Sequence, residues 1–247
     1  MPLKKHSITV LLSLALSGLF SAACNADIVL SGTRIIYKAG SDETTIRMEN
    51  RGTHPLLVQT WLDTGDDNAD PSTISVPFTA TPPISRIEPA RGQTVKIMYS
   101  GAATTLPTDK ESVYWFNTLE IPGKAKNEET NGKNLLQLAF RTRIKLFYRP
   151  EGLPGRPSDA PEQIKWDLRT DKNQVVLRAT NSSPYYVSFS SASLKTADKK
   201  YTVQASMVAP KSYSDFVVVG MKQISKGTLE YSAINDFGGA ISGKSSL

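Results

Sequence analysis

After residue 26, apolar and polar residues alternate in short runs along most of the chain. Runs rich in Val, Ile, Tyr, Thr and Phe span residues 33–37, 44–49, 56–62, 94–99, 112–119 and 135–148, then 164–168, 174–179, 185–189, 201–205, 216–219 and 229–234. Turn-forming clusters separate them: Asn50-Arg51-Gly52, Asp66-Asp67-Asn68, Asp171-Lys172-Asn173 and Asn181-Ser182-Ser183. A period of two with turn signals roughly every 8–12 residues predicts strands of immunoglobulin-like β-sandwiches. No stretch holds a 3.6-residue period over three turns, so the pattern predicts an all-β fold. At 149–157 three prolines and two glycines interrupt the strongest strand pattern, and a sheet ladder cannot continue through them. The expected organisation is therefore residues 27–150 and 151–247, two sandwiches joined at an angle by this Pro/Gly-rich hinge.

The first 26 residues read as an address. Lys4 and Lys5 precede an apolar run from Ile8 to Phe20, followed by Ser21, Ala22 and Ala23. That is the layout of a secretory signal peptide, and the run is too short for a spanning helix of about 20 residues. Cleavage after Ala26 satisfies the small–x–small rule through Cys24 and Ala26; cleavage after Ala23 competes. Cys24 as a lipid acceptor ranks lower, because the aliphatic residue usual three positions before it is missing. The 247-residue chain carries a net charge of +6, and losing residues 1–26 removes two lysines and no acid, leaving +4. The product would be exported, cysteine-free and held together by core packing alone. No later segment is apolar enough to enter a membrane.

Composition also limits the chemistry. One Cys precludes multi-cysteine metal sites, and loss of His6 with the leader leaves His54 as the single imidazole, in a turn before Pro55. No serine lies in a Gly-x-Ser-x-Gly elbow, and no phosphate-binding glycine loop occurs. Asp66, Asp67 and Asp70 read as a solvated turn, lacking the glutamate that ends a calcium loop. The basic residues are not interleaved with a stacking platform for nucleic acid. The expectation is a protein without enzymatic activity, metal or cofactor.

One strand stands apart. From Leu135 to Tyr148 it is 14 residues long against a typical 5–6. Leu136, Leu138 and Phe140 alternate on one face, and Arg141, Arg143, Lys145 and Arg149 follow. A long apolar edge is an aggregation hazard, unless its use is to pair with a strand of another chain.

The block Leu106-Pro107-Thr108-Asp109-Lys110-Glu111-Ser112-Val113-Tyr114-Trp115-Phe116-Asn117, ending Ile121-Pro122, resembles the signature of periplasmic pilus (fimbrial) chaperones of the chaperone–usher pathway, departing at Thr118. Gly32-Thr33-Arg34, Ala80-Thr81-Pro82-Pro83, Ile144-Lys145-Leu146-Phe147-Tyr148-Arg149-Pro150 and Ile234-Asn235-Asp236-Phe237-Gly238-Gly239 extend the resemblance over residues 27–240. The resemblance implies a chaperone that folds and caps pilus subunits by donor-strand complementation and delivers them to an outer-membrane usher. It implies that Arg34 and Lys145 bind the subunit's C-terminal carboxylate, and that Leu136, Leu138 and Phe140 fill the subunit's groove. Glu111, Arg149 and Asp236 match a charged cluster bridging the domains, and Leu57, Gln59, Thr81, Pro82, Pro83 and Ile121 match a surface offered to the usher. The 12-residue link between Pro122 and Leu135 resembles the short-loop branch of the family. Self-association of the free protein through the same strand stays open. An exported two-domain structural or adhesive fimbrial component is the alternative.

The parity of Lys145 is opposite to that of Leu136, Leu138 and Phe140. Either the strand twists or bulges between Phe140 and Lys145, or the two sets serve different parts of the partner.

Overall fold

The computed structural model describes residues 27–101, 106–123, 138–172 and 174–247. The leader, its two candidate cut sites and Leu136 lie outside the described residues.

The first unit contains β1 (Ile28–Leu30), β2 (Arg34–Lys38), β3 (Glu43–Asn50), β4 (Leu56–Asp63), β5 (Phe78–Thr81), β6 (Ile84–Ile87), β7 (Gly92–Tyr99), β8 (Ser112–Pro122) and β9 (Phe140–Arg149). They form two sheets, ordered β1-β3-β7-β5 and β2-β9-β8-β4-β6. Alternation does the sorting. In β3, Ile46 and Met48 turn inward; in β4, Leu56 and Val58; in β9, Ile144 and Leu146. Their neighbours point to solvent or to the outer face, as period two requires. Tyr37, Phe78, Tyr99, Tyr114 and Tyr148 close one end of this core, with Phe78 and Tyr114 ring centroids 4.9 Å apart.

The second unit contains β10 (Lys165–Asp171), β11 (Gln174–Asn181), β12 (Val187–Lys195), β13 (Lys200–Val203), β14 (Met207–Val208), β15 (Ser212–Val217), β16 (Thr228–Ile234) and β17 (Ala240–Ser246). One sheet runs β10-β11-β15, the other β13-β12-β16-β17 with β14 also on β12. Leu177, Leu194 and Leu229 are fully buried between them. Trp166 packs on Phe189 and Tyr231 at 5.3 and 5.6 Å. The fold is all-β in two sandwiches. Between β9 and β10 the Pro-rich stretch holds a short 3-10 helix, Pro157–Gln163, with Pro at its start.

Several contacts tie the units together. The Glu111 N–H donates to Pro184 O at 2.9 Å, Lys211 reaches Asp109 at 2.5 Å, and the tilted rings of Phe147 and Tyr186 pack with centroids 5.5 Å apart.

Candidate functional site

The decisive feature is an edge that is open for part of its length. β9 pairs antiparallel with β8 throughout, from Glu120↔Phe140 to Ser112↔Tyr148. On its other side β2 runs parallel to it, but only from Arg34↔Lys145 onward. The chain leading into β2 is held in the other sheet: β1 pairs with β3, and the Ser31 N–H donates to Arg47 O at 2.9 Å. Crossing between sheets at residues 31–33 leaves residues 140–144 without a second strand. A groove lined by Ile28, Leu30, Gly32, Thr33, Thr142 and Ile144 runs beside them. Leu138 is 54% exposed and Phe140 36%, a large apolar exposure beside unsatisfied ladder groups. The ladder begins at Phe140, so Leu138 precedes the strand proper.

The β8–β9 register is unbroken from Phe140 to Lys145, so no bulge turns the strand. Phe140 therefore shares the face of Ile144 and Leu146, and Lys145 shares the outer face with Arg141 and Arg143. The two sets point to opposite sides of one strand, and they meet a common partner only along its edge.

Where β2 takes over that edge, Arg34 and Lys145 are register partners. Arg34 Nη1 donates to Ile234 O at 2.9 Å, while its Nε is buried with no acceptor. Lys145 Nζ donates to Ser188 Oγ at 3.2 Å and lies 5.5 Å from the Trp115 ring. Among the described residues neither cation has a carboxylate within ion-pair distance, since Glu111 and Asp236 both engage Arg149. Burial pushes the Lys145 amine down to about 8, with the Arg34 charge adding to the effect. Burial likewise lowers Arg34, against the attraction of Asp236 and Glu111. Two adjacent, desolvated cations are costly, and an anion between them would relieve the cost.

The bridging cluster is assembled around Arg149. Its Nε donates to Glu111 Oε1 at 2.6 Å, and its Nη1 and Nη2 donate to Asp236 at 2.7 and 2.9 Å. Glu111 Oε2 accepts the Tyr186 N–H at 2.8 Å. Burial raises the Glu111 carboxyl despite Arg149 beside it. Asp236 is presented by a tight loop in which Asn235 Oδ1 accepts the N–H groups of Phe237 and Gly239. Gly238 sits at φ 84° there, and a Cβ would meet Thr33 Oγ1 at 2.6 Å.

Leu57 and Ile121 are cross-strand neighbours and Gln59 faces Leu119, all on the outer face of the β8-containing sheet. Thr81, Pro82 and Pro83 reach the same sheet through Thr60, whose N–H and hydroxyl donate to Pro83 O and Pro82 O at 2.8 and 3.0 Å. Exposed Ile84 joins this patch. His54 occupies an exposed turn, its Nδ1 2.9 Å from Thr53 Oγ1. Asp66 and Asp70 accept backbone N–H groups of Asn68 and Ser72.

Sequence reasoning missed the support behind the strand. Asp63, 1% exposed at the end of β4, accepts from Arg143, from Asn117 Nδ2 at 2.8 Å and from the Gly65 N–H at 2.7 Å. Arg141 donates to Asn117 Oδ1 and lies over the Trp61 ring; Arg143 lies 4.3 Å from the Trp115 ring centroid. The sequence hid it: Asp63 has the outer parity of Leu57, Gln59 and Trp61, where a charged residue reads as solvent-facing. This network braces the basic outer face of β9, while Phe140, on the opposite face at the strand's start, stays partly exposed.

The family of pili and flagellar-assembly chaperones matches at both units, by its PapD N-terminal domain over residues 27–154 and its PapD C-terminal domain over residues 159–245. The probable fimbrial chaperone YadV of Escherichia coli K12 is 54% identical over 229 residues, 92% of this chain and 93% of that protein. The crystal structure of YadV superposes with a TM-score of 0.77 at 52% identity, covering 90% of this chain and 100% of the other. The SafB chaperone, solved in complex with the SafA pilin of Salmonella enterica, gives 0.74 at 26%, covering 92% and 99%. The periplasmic chaperone SfaE gives 0.68 at 25%, covering 89% and 98%. The chain belongs to the PapD-like family of pilus-assembly chaperones, which are periplasmic and not enzymes.

Proposed function

We infer that this protein is a fimbrial chaperone of the chaperone–usher pathway, and that it holds pilin subunits by adding its β9 edge to their incomplete sheets. The observation that carries the reading is the half-open edge ending at two cations without an acid. An incoming strand can pair with residues 140–144 but not beyond, because β2 occupies the edge from Lys145. A chain terminus fits that position, and its carboxylate would sit between Arg34 and Lys145. With its C-terminus at Lys145, the incoming strand runs in the same direction as β9.

Arg offers a planar fork to the carboxylate and Lys a compact second charge. The exposed apolar side chains then enter the client's groove. Burying Leu138 and Phe140 contributes about 1.5–3 kcal/mol each, before the cost of ordering the partners. The cations fix the phase of the pairing, and a slip of one residue would present Ala139 and Arg141 instead. Leu136 extends the same alternation on sequence.

The test is capture. Co-expressed with a pilin and purified from the periplasm, the wild-type protein should yield a 1:1 complex with a subunit that does not accumulate alone. Leu138→Glu, at an exposed position, should leave the free protein's melting temperature unchanged and cut complex yield at least tenfold, because a charge would enter the groove unpaired. Undiminished yield from this variant would exclude strand addition at Leu138.

The outer patch of Leu57, Gln59, Thr81, Pro82, Pro83 and Ile121 is the face we assign to the usher. Its exposed apolar side chains lie away from the open edge, so both partners can be held at once. Replacing Leu57 and Ile121 together by Ser should leave the pilin complex intact while abolishing its binding to purified usher. Loss of the pilin complex itself would count against this division of surfaces.

A further inference from the structure

Glu120 lies directly opposite Phe140, on the inner face of β8 beneath the open edge. It is 3% exposed. Its Oε2 accepts the Asp27 N–H at 3.2 Å, and its Oε1 is buried with no hydrogen-bond partner. The two arginines that line the groove beside Asp27 are otherwise engaged: Arg51 with Glu49 at 3.5 Å, and Arg143 with Asp63. Burial raises the Glu120 carboxyl, and the Asp27 carboxylate acts in the same direction, against backbone hydrogen bonds from Ile28 and Asp27. A buried carboxylate without a cation is expensive to keep.

The Asp27 nitrogen is a neutral amide only while Ala26 precedes it. We propose that the chain is cut between Ala26 and Asp27, and that the ammonium so formed closes an ion pair with Glu120. Signal-peptidase hydrolysis breaks that peptide bond with one water. The hydroxyl stays with the Ala26 carboxyl group, and the Asp27 nitrogen, with an ordinary α-amino pKa of about 7.7–8, takes up a proton at neutral pH. One N–H donor becomes three, with a full positive charge beside the carboxylate and a donor available to Oε1. Cleavage after Ala23 would place the ammonium three residues upstream and leave Glu120 facing the same neutral amide. Processing after Ala26 thus completes the end of the sandwich under the donor edge, pinning β1 to β8.

Intact mass and N-terminal sequencing of the periplasmic product should give Asp27 as the first residue; a product beginning at Cys24 overturns the proposal. The mature chain should then be compared with one retaining Asn25-Ala26. The extension should lower the melting temperature of the wild type by about 4 °C or more, and should not lower that of Glu120→Gln. Equal losses in both backgrounds, or none in the wild type, overturn it. On the wild-type protein alone, reductive methylation with labelled formaldehyde should report an α-amino pKa raised above that of the denatured chain. An unshifted value overturns the pairing even where Glu120→Gln fails to fold.

Discussion

Arg34→Ala or Lys145→Ala should reduce pilin capture by a hundredfold or more while the protein stays folded. Each charge-assisted hydrogen bond contributes about 1.5–3 kcal/mol net, and each variant removes at least one, along with a charge that fixes the pairing phase. The free protein should respond in the opposite sense. Lys145 is a half-buried cation beside another cation, so its removal should leave thermal stability unchanged or raise it. The pH dependence has a definite sign. In the free protein the Lys145 amine titrates at about 8, below its ordinary value near 10.4, so the folded state binds fewer protons than the unfolded chain between those limits. This group's contribution to stability is therefore fully present above the ordinary value and is lost as pH falls through about 8. A bound carboxylate favours the charged amine, so capture should take up a proton near pH 8 and weaken as pH rises above it. Isothermal titration with a pilin C-terminal peptide in buffers of different ionisation enthalpy reads both quantities. Undiminished affinity of either variant, with no proton uptake, would sink the anchor assignment.

Arg149→Leu should produce the largest loss of stability. Glu111 is almost fully buried and Asp236 largely so, and this single guanidinium neutralises both. Removing one partner of a buried ion pair typically costs about 3–5 kcal/mol, because the charge left behind is uncompensated. The two sandwiches have separate hydrophobic cores, so the loss should appear as uncoupling: calorimetry should resolve two transitions where the wild type gives one. Without Arg149 the buried Glu111 carboxyl would titrate higher still. A folded-state value above the unfolded one means stability is regained as pH falls through it, so the defect should be greatest at neutral pH and shrink toward pH 5. A single transition at the wild-type temperature would show that the cluster does not hold the units together.

The all-β architecture was legible because the longer strands alternate cleanly. β3, β4, β8, β11 and β16 each carry a largely apolar inner face, interrupted in β4 by Thr60 and in β8 by Thr118 and Glu120. The strands that escaped are short or peripheral. β17 reads Ala-Ile-Ser-Gly-Lys-Ser-Ser, with Ile241 its one large apolar residue, and it persists because β16 supplies a ladder along its whole length. The short helix at Pro157–Gln163 hides in a proline-rich stretch that reads only as an interruption. At the site, alternation separated the apolar face of β9 from its basic face, but the neighbourhood of Arg34 and Lys145 came only from the resemblance. An arginine and a lysine far apart in the chain look like ordinary surface charges until a parallel pairing sets them side by side. Asp63 and Glu120 were overlooked for related reasons: Asp63 has an outer parity that reads as solvent-facing and Glu120 a buried one, and the partners of both are fixed by tertiary structure.

On the proposed pairing, the point at which β2 takes over from the open segment of β9 works as a zero mark. A guest seated there is measured from its last residue backward, so pilins of unrelated internal sequence can be aligned by where they stop rather than by what they contain. Backbone pairing is indifferent to side-chain identity, and an origin at the paired Arg34 and Lys145, as proposed, would let so permissive an interaction still deliver each guest in a single phase.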